Sequence, residues 1–226
     1  MYELEYICYV GGKDYAEDVR EIFTDPKGYK GWYERNRVIY MDELALIKSF
    51  NLSNCLDLGS GPGIFHEAMS GETVSIDVSV EMLREVEGDK VQGDVRALPF
   101  RDRAFECVFS SVTVCFVDDI ETFFKEAARV SKGTVTVCFI PLDSSWGRFY
   151  SDLGKRGHKY YSKAIFRPLE EILNKFRKYM KVDVIKSTIT FKPGDVPKEE
   201  PPVNGLGGSF ICVSGPPLTV PATGHS

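Results

Sequence analysis

In CLDLGSGPGIFHEA, residues 55–68, glycines stand at positions 59, 61 and 63, directly after an apolar run that contains Asp57. A glycine turn between a strand and a helix keeps Cβ atoms away, so backbone amides at the helix start can approach a ligand. A dinucleotide turn of the form G-x-G-x-x-G would need its third glycine where Ile64 stands, and Gly63 comes one residue early. A bound pyrophosphate is therefore disfavoured. Asp57 points the same way, since a carboxylate beside the turn repels a pyrophosphate and attracts a cationic group such as a sulfonium or an α-amino nitrogen.

Two further acids continue the pattern. Asp77 closes the second apolar run, TVSIDV (residues 73–78), where a doubly wound fold uses an acid to accept hydrogen bonds from ribose hydroxyls. Asp94 lies in GDVRALPF (residues 93–100) with Val95 beside it, placed to bond an exocyclic amine and to pack on a base. Three acids in this order imply a nucleoside with a cationic side chain. Each also has a plainer reading as a helix cap or turn former.

These groups need a scaffold that brings distant segments to one edge. Apolar runs rich in β-branched residues, at 54–59, 73–78, 105–111 and 133–140, alternate with helically periodic segments at 63–70, 79–88 and 118–133. Continuous apolar runs suit strands buried on both faces, and the alternation predicts an α/β fold: a doubly wound, Rossmann-like, mostly parallel sheet. Residues 182–191 and 207–215 predict two late strands with antiparallel pairing, joined by an exposed connection. Ahead of the glycine turn, a helix is expected from about Val38 to Phe50, and DPKGYKGWYERN (residues 25–36) reads as an aromatic loop able to close as a lid. The chain thus divides into an N-terminal cap and lid (1–50), a core (51–215) with an insertion after the fifth strand (141–166), and a disordered tail (216–226).

Composition narrows the partners. The 226 residues, 43% hydrophobic and 12% aromatic, suffice for one sizeable core. With 28 Lys and Arg against 33 Asp and Glu, the net charge of −5 argues against nucleic acid. No apolar stretch reaches the roughly 18 residues of a membrane span, and residues 1–10 carry acids where a secretory signal carries bases, so a cytoplasmic location is expected. The six cysteines, Cys8, Cys55, Cys107, Cys115, Cys138 and Cys212, form no C-x-x-C pair, and buried free thiols are expected over disulfides or zinc. No metal site is expected.

The segments LDLGSGPG, SIDVSVEML, GDVRALPFRDRAFECVFSS and VTVCFVDDIETFFKEAARVSKGTVTVCFIP, spread over residues 56–141, together resemble the class I S-adenosylmethionine-dependent methyltransferases. Within that family the chain is most similar to the small-molecule branch that includes the ubiquinone and menaquinone biosynthesis enzymes. The resemblance implies S-adenosylmethionine as cofactor and a small-molecule methyl acceptor. Gly59, Ser60, Gly61 and Gly63 would wrap the methionine part, with Asp57 orienting the loop and the amino group. Asp77 would take the ribose, Val78 and Met82 the adenine face, and Asp94 with Val95 its edge. Ser110 would lie beside the reactive methyl. GYKGWYERN is similar to the family's aromatic segment ahead of the core and adds Tyr33 as a cofactor contact.

For the acceptor, the segment SSVTVCFVDD lacks the Asn- or Asp-Pro-Pro-aromatic signature of nucleic-acid amino methylation, and no Pro-Cys nucleophile is present. The insertion is the expected substrate cover, with Trp146, Arg148 and Tyr150 as substrate contacts, His158 as general base and Tyr160 behind it. The competing reading makes these aromatics packing and the nearby lysines a solvated helix face. A non-catalytic cofactor-binding regulatory subunit and a protein or RNA methyltransferase are the alternative functions. Oligomeric state has no sequence signal.

Overall fold

Each strand of the sheet sorts its side chains between two apolar layers. In β1 (Cys55–Leu58), Leu56 and Leu58 enter one cluster and Cys55 the other. The same alternation puts Val108 opposite Cys107 and Phe109 in β4 (Phe105–Ser111), and Val135, Val137 and Phe139 opposite Cys138 in β5 (Ser131–Phe139). A sheet apolar on both faces must be covered on both, and that is what the helices do.

A computed structural model describes residues 15–218. Expectations for Cys8, for residues 1–10 and for residues 219–226 fall outside the described residues. The remaining strands are β2 (Val74–Asp77), β3 (Lys90–Gln92), β6 (Val184–Thr188), β7 (Val203–Asn204) and β8 (Phe210–Gly215), and all eight form one sheet in the order β3-β2-β1-β4-β5-β8-β6-β7. β1 to β5 pair in parallel, while β8 enters antiparallel between β5 and β6. The doubly wound, mostly parallel Rossmann-like sheet with a late antiparallel strand is the observed architecture.

On one layer, α5 (Ile120–Val130) and α7 (Leu169–Tyr179) bury Phe123, Phe124 and Phe176. Asp119 caps α5 by accepting the Thr122 amide at 3.0 Å. On the other layer lie α2 (Pro26–Arg35), α3 (Arg37–Lys48) and α6 (Ser145–Lys155), with α1 (Tyr15–Ile22) preceding them. Three helical expectations shrink or shift. After the glycine turn only a single 3-10 turn, His66–Ala68, forms, and the next helix is the four-residue α4 (Val80–Leu83). The α5 helix stops at Val130, and β5 begins at once with Ser131.

Residues 25–36 are not a loop. Asp25 accepts the Gly28 amide at 2.9 Å and Pro26 takes the first helical position, so α2 has a complete N-terminal cap. A Cβ on Gly28 would stand 2.2 Å from the Asp25 carboxylate, so this glycine makes room for the cap and is no hinge. At the other end of the chain, residues 216–218 are paired to the body through Lys181 N to Pro216 O (2.9 Å) and Leu218 N to Tyr179 O (2.8 Å), against the expected disordered tail. No helix among the described residues is long and apolar enough to cross a membrane.

The cysteine expectation is corrected. Cys55 faces Cys107 across β1–β4 and Cys138 faces Cys212 across β5–β8, and both pairs are disulfides; Cys115 is free and buried. All four bonded cysteines point to the same layer, and strand order rather than sequence spacing makes them neighbours. Thiol titration of the unfolded chain should therefore find four more thiols after reduction than before. Replacing Cys138 and Cys212 by alanine should lower the unfolding free energy by about 2–4 kcal/mol in denaturant titrations.

Candidate functional site

The chain order reverses at β1, which lies between β2 and β4, and a crevice opens there beyond the strands' carboxyl ends, where doubly wound folds bind ligands. A cleft of about 690 Å³ occupies it, walled by the glycine turn, the ends of β2 and β4, and α1.

The three glycines of the turn serve different neighbours. A Cβ on Gly59 would meet the Thr113 side chain at 2.4 Å, and one on Gly63 the His66 ring at 2.9 Å. Both spaces are filled by the protein itself. Gly61 alone, at φ +54°, has no heavy atom within 4 Å of the position a Cβ would take, and it lines the cleft. Its amide donates to Asp77 Oδ2 at 2.8 Å, while the Ser79 amide donates to Asp77 Oδ1 at 2.8 Å. Burial is the main cause pushing the Asp77 carboxyl up to about 6, and those amides pull the other way. Each oxygen keeps acceptor capacity for ligand hydroxyls.

Val78, Met82 and Val95 give the cleft an apolar end suited to a flat ring. Asp94 lines it too, but Arg96 clamps its carboxylate through Nε and Nη2 and reaches Asp118 with Nη1 at 2.6 Å. Asp57 and Ser110 do not reach the cleft wall. Asp57 is buried, its Oδ2 lies 3.1 Å from His66 Nε2, and burial raises its carboxyl before the histidine lowers it. Ser110 is buried and donates to Leu58 O at 2.8 Å; its neighbour Ser111 faces the cleft, with an Oγ that has no partner. Ser60 and Gly63 also lie off the wall.

A second cavity of about 610 Å³ adjoins the first, and Phe23, Tyr29, Val112 and Phe116 line both. Val112 holds φ +58°, a left-handed conformation that costs a β-branched residue on the order of 1–3 kcal/mol. The second cavity contains Tyr150, His158 and Tyr160 of the insertion, as the sequence suggests. His158 stacks on Tyr161 with ring centroids 4.4 Å apart, and burial lowers its pKa, keeping the ring neutral. Tyr160 stacks on Phe23 at 5.2 Å. Tyr33, expected at the cofactor, lines this second cavity instead.

Trp146 and Arg148 line neither cavity. Trp146 donates its indole N–H to Phe191 O at 2.8 Å and packs against Tyr150, while Arg148 is exposed and bonds Asp143 O. Sequence reasoning missed Glu43, which is 2% exposed, lines the second cavity and has an unpartnered Oε2. A signal existed: Glu43 takes a place on the apolar stripe of α3, between Ile39 and the pair Leu46 and Ile47. Burial, then the nearby Asp42, raises its carboxyl to about 8.

Residues 56–139 match the methyltransferase domain family. An uncharacterised protein of Mycobacterium tuberculosis is 30% identical over 159 residues, covering 66% of this chain and 55% of that protein. A demethylmenaquinone methyltransferase of a Roseiflexus species is 28% identical over 134 residues, covering 54% and 55%. The chain thus spans about half the length of these curated relatives. Among solved structures, a Thermotoga maritima S-adenosylmethionine-dependent methyltransferase, named as a possible histamine N-methyltransferase, superposes with a TM-score of 0.79 at 26% identity, covering 88% of this chain and 99% of its own.

The buried Glu43 carboxyl has a stability signature. Its folded-state value of about 8 stands above its ordinary 4.5, so the native protein keeps a proton that the unfolded chain has released between these values. This contribution is full below about pH 4.5 and is lost as pH rises through 8. Glu43→Gln should therefore gain stability relative to wild type on going from pH 5 to pH 9, by about 3–5 kcal/mol at one pKa unit per 1.36 kcal/mol. Paired urea melts across that range give the difference directly.

Proposed function

We propose that residues 56–139, which match the methyltransferase domain family, form a class I S-adenosylmethionine-dependent methyltransferase domain, and that the whole chain methylates a small molecule held in the aromatic cavity beside the cofactor cleft. The observation that carries this reading is the adjacency of the two spaces. The open cradle at Gly61 and the amide-held Asp77 lie in one, and the aromatic cavity shares a wall with it that includes Val112.

The residues fit the cofactor. Gly61 leaves room for the methionine part against bare backbone, Asp77 offers free lone pairs to ribose hydroxyls, and Val78, Met82 and Val95 bracket the adenine. Asp94, clamped by Arg96, presents its remaining lone pairs to the adenine edge. Gly59 belongs to the same wall, whereas Asp57 acts from behind the loop by holding His66. When bound, the cofactor supplies an activated methyl on a sulfonium.

The protein's own work is to align the acceptor and exclude water, which can lower the barrier by several kcal/mol without a covalent step. Phe23 and Tyr29 close the shared wall from the N-terminal side. Tyr150, His158 and Tyr160 line the acceptor space, with neutral His158 able to take a proton. Trp146 supports Tyr150 from outside. A cavity lined almost wholly by aromatic and aliphatic side chains, with no lysine or arginine among the described residues, favours a small acceptor over the phosphate backbone of RNA. Two of the similar proteins carry small-molecule acceptors in their names, demethylmenaquinone in one and histamine in the other.

Calorimetry with S-adenosylhomocysteine tests the cofactor site. Asp77→Ala should weaken binding tenfold or more, since a hydrogen bond to a charged group contributes roughly 1.5–3 kcal/mol. Gly61→Val should abolish binding, and Arg148→Ala should leave it unchanged. Extracts incubated with trideuteromethyl donor should yield a labelled metabolite by mass spectrometry. Cofactor binding without any labelled product would instead support a regulatory subunit.

A further inference from the structure

Glu43 is the one carboxylate lining the second cavity, and no lysine or arginine lines it among the described residues. Its side chain is 2% exposed, and Oε2 has no hydrogen-bond partner. A buried, unpartnered carboxyl oxygen is costly, and natural structures keep such groups where a ligand or proton completes them. Around it stand the rings of Tyr29 and Tyr33 from α2, Tyr150 from α6, and Tyr161. A box of aromatic faces with one carboxylate suits a cation, through ring quadrupoles and a charge-assisted hydrogen bond. It disfavours a carboxylate or phosphate acceptor, since no lysine or arginine among the described residues lines the cavity to pair with an anion.

We propose that the acceptor is a small amine, and that Glu43 binds its ammonium group and takes the proton that must leave before the nitrogen can attack. This deepens the small-molecule reading above and rests on it. In the step itself, an R–NH3+ group gives one proton to the Glu43 carboxylate and becomes R–NH2. The nitrogen lone pair then forms the N–CH3 bond while the C–S bond breaks with its electron pair left on sulfur. The product is R–NH2+–CH3 with a neutral thioether, and the proton on Glu43 passes to solvent when the cavity opens. One proton is released per turnover, and no oxidant or metal is required.

The shifted groups around Glu43 titrate outside the range from pH 7 to pH 9. Burial above all holds the phenols of Tyr29, Tyr33, Tyr150 and Tyr161 well above their ordinary value, and it pushes the Cys115 thiol to about 12. His158 is held neutral by burial, and Asp42 on the same helix is raised by burial to about 6. Between pH 7 and 9 the carboxyl that changes charge in this cavity is Glu43.

The test uses the full chain saturated with S-adenosylhomocysteine, titrated calorimetrically with phenethylamine, 2-phenylethanol and 3-phenylpropionate. Wild type should bind the amine at least tenfold more tightly than the alcohol and leave the acid unbound. Its amine affinity should tighten about fivefold or more from pH 7 to pH 9 as Glu43 ionises, by proton linkage. Glu43→Gln, checked for an intact melting transition, should lose the amine preference and the pH dependence while keeping its affinity for the alcohol and for S-adenosylhomocysteine. Equal binding of amine and alcohol by wild type, absent amine binding, or an amine preference that survives in Glu43→Gln would overturn the assignment. Failure of wild type to bind S-adenosylhomocysteine would overturn the methyltransferase reading along with it.

Discussion

The 2.8 Å bond from the Gly61 amide to Asp77 joins the turn after β1 to the end of β2, and the cleft edge of the sheet is organised around it. It needs Gly61 at positive φ, which places the amide, and it needs parallel β1–β2 pairing, which brings Asp77 level with the turn. The carboxylate is thereby oriented before any ligand arrives, so a ribose would meet fixed acceptors and little ordering would be lost on binding. The cost is a partly buried charge held by two amides, and the raised Asp77 carboxyl records it.

A second constraint sits at the end of β4. Val112 turns into a left-handed conformation, and Thr113 then reaches back to bond Leu58 O at 3.0 Å and to fill the space beside Gly59. The strained residue therefore both closes the glycine turn and forms the partition between the two cavities. Strain of this kind persists where the surroundings over-determine it, and here the Val112 amide is fixed to Cys138 O at 2.8 Å on the neighbouring strand. The backbone at Val112 thus fixes one part of the wall that the two spaces share, and Phe23, Tyr29 and Phe116 complete it.

The sheet was legible because its strands are apolar on both faces, as residues 55–58 and 133–140 illustrate, and the cleft was legible because Gly61, Asp77, Val78, Met82 and Val95 all fall in the segments that directly follow β1, β2 and β3 or end them. What escaped depends on pairing and on direction. Whether Ser110 or Ser111 faces the cleft is a matter of strand alternation at the end of β4, invisible in a run of two serines. Asp57 and Gly63 turned out to serve His66, because a ring nine residues on folds back where a longer helix was expected. Residues 25–36 look like a loop until Asp25 is recognised as a cap. Glu43 was overlooked because an acid in a helix is ordinarily solvent-facing, although its place on the apolar stripe of α3 contradicted that.

The two disulfides divide the covalent chain in a way the folded shape conceals. One closes a ring from residue 55 to 107, which holds the glycine turn, Asp77 and Asp94; the other closes a ring from 138 to 212, which holds the insertion, α7 and β6. The rings share no residue, and residues 108–137 run between them as a bridge. An oxidised chain that has lost its fold still keeps the segment of the glycine turn and the segment of the insertion as separate, confined circuits. Pairing of β4 with β5 along the bridge then brings the two circuits together with Val112 and Thr113 at their seam, while α1 to α3, with Tyr29, Tyr33 and Glu43, lie outside both rings.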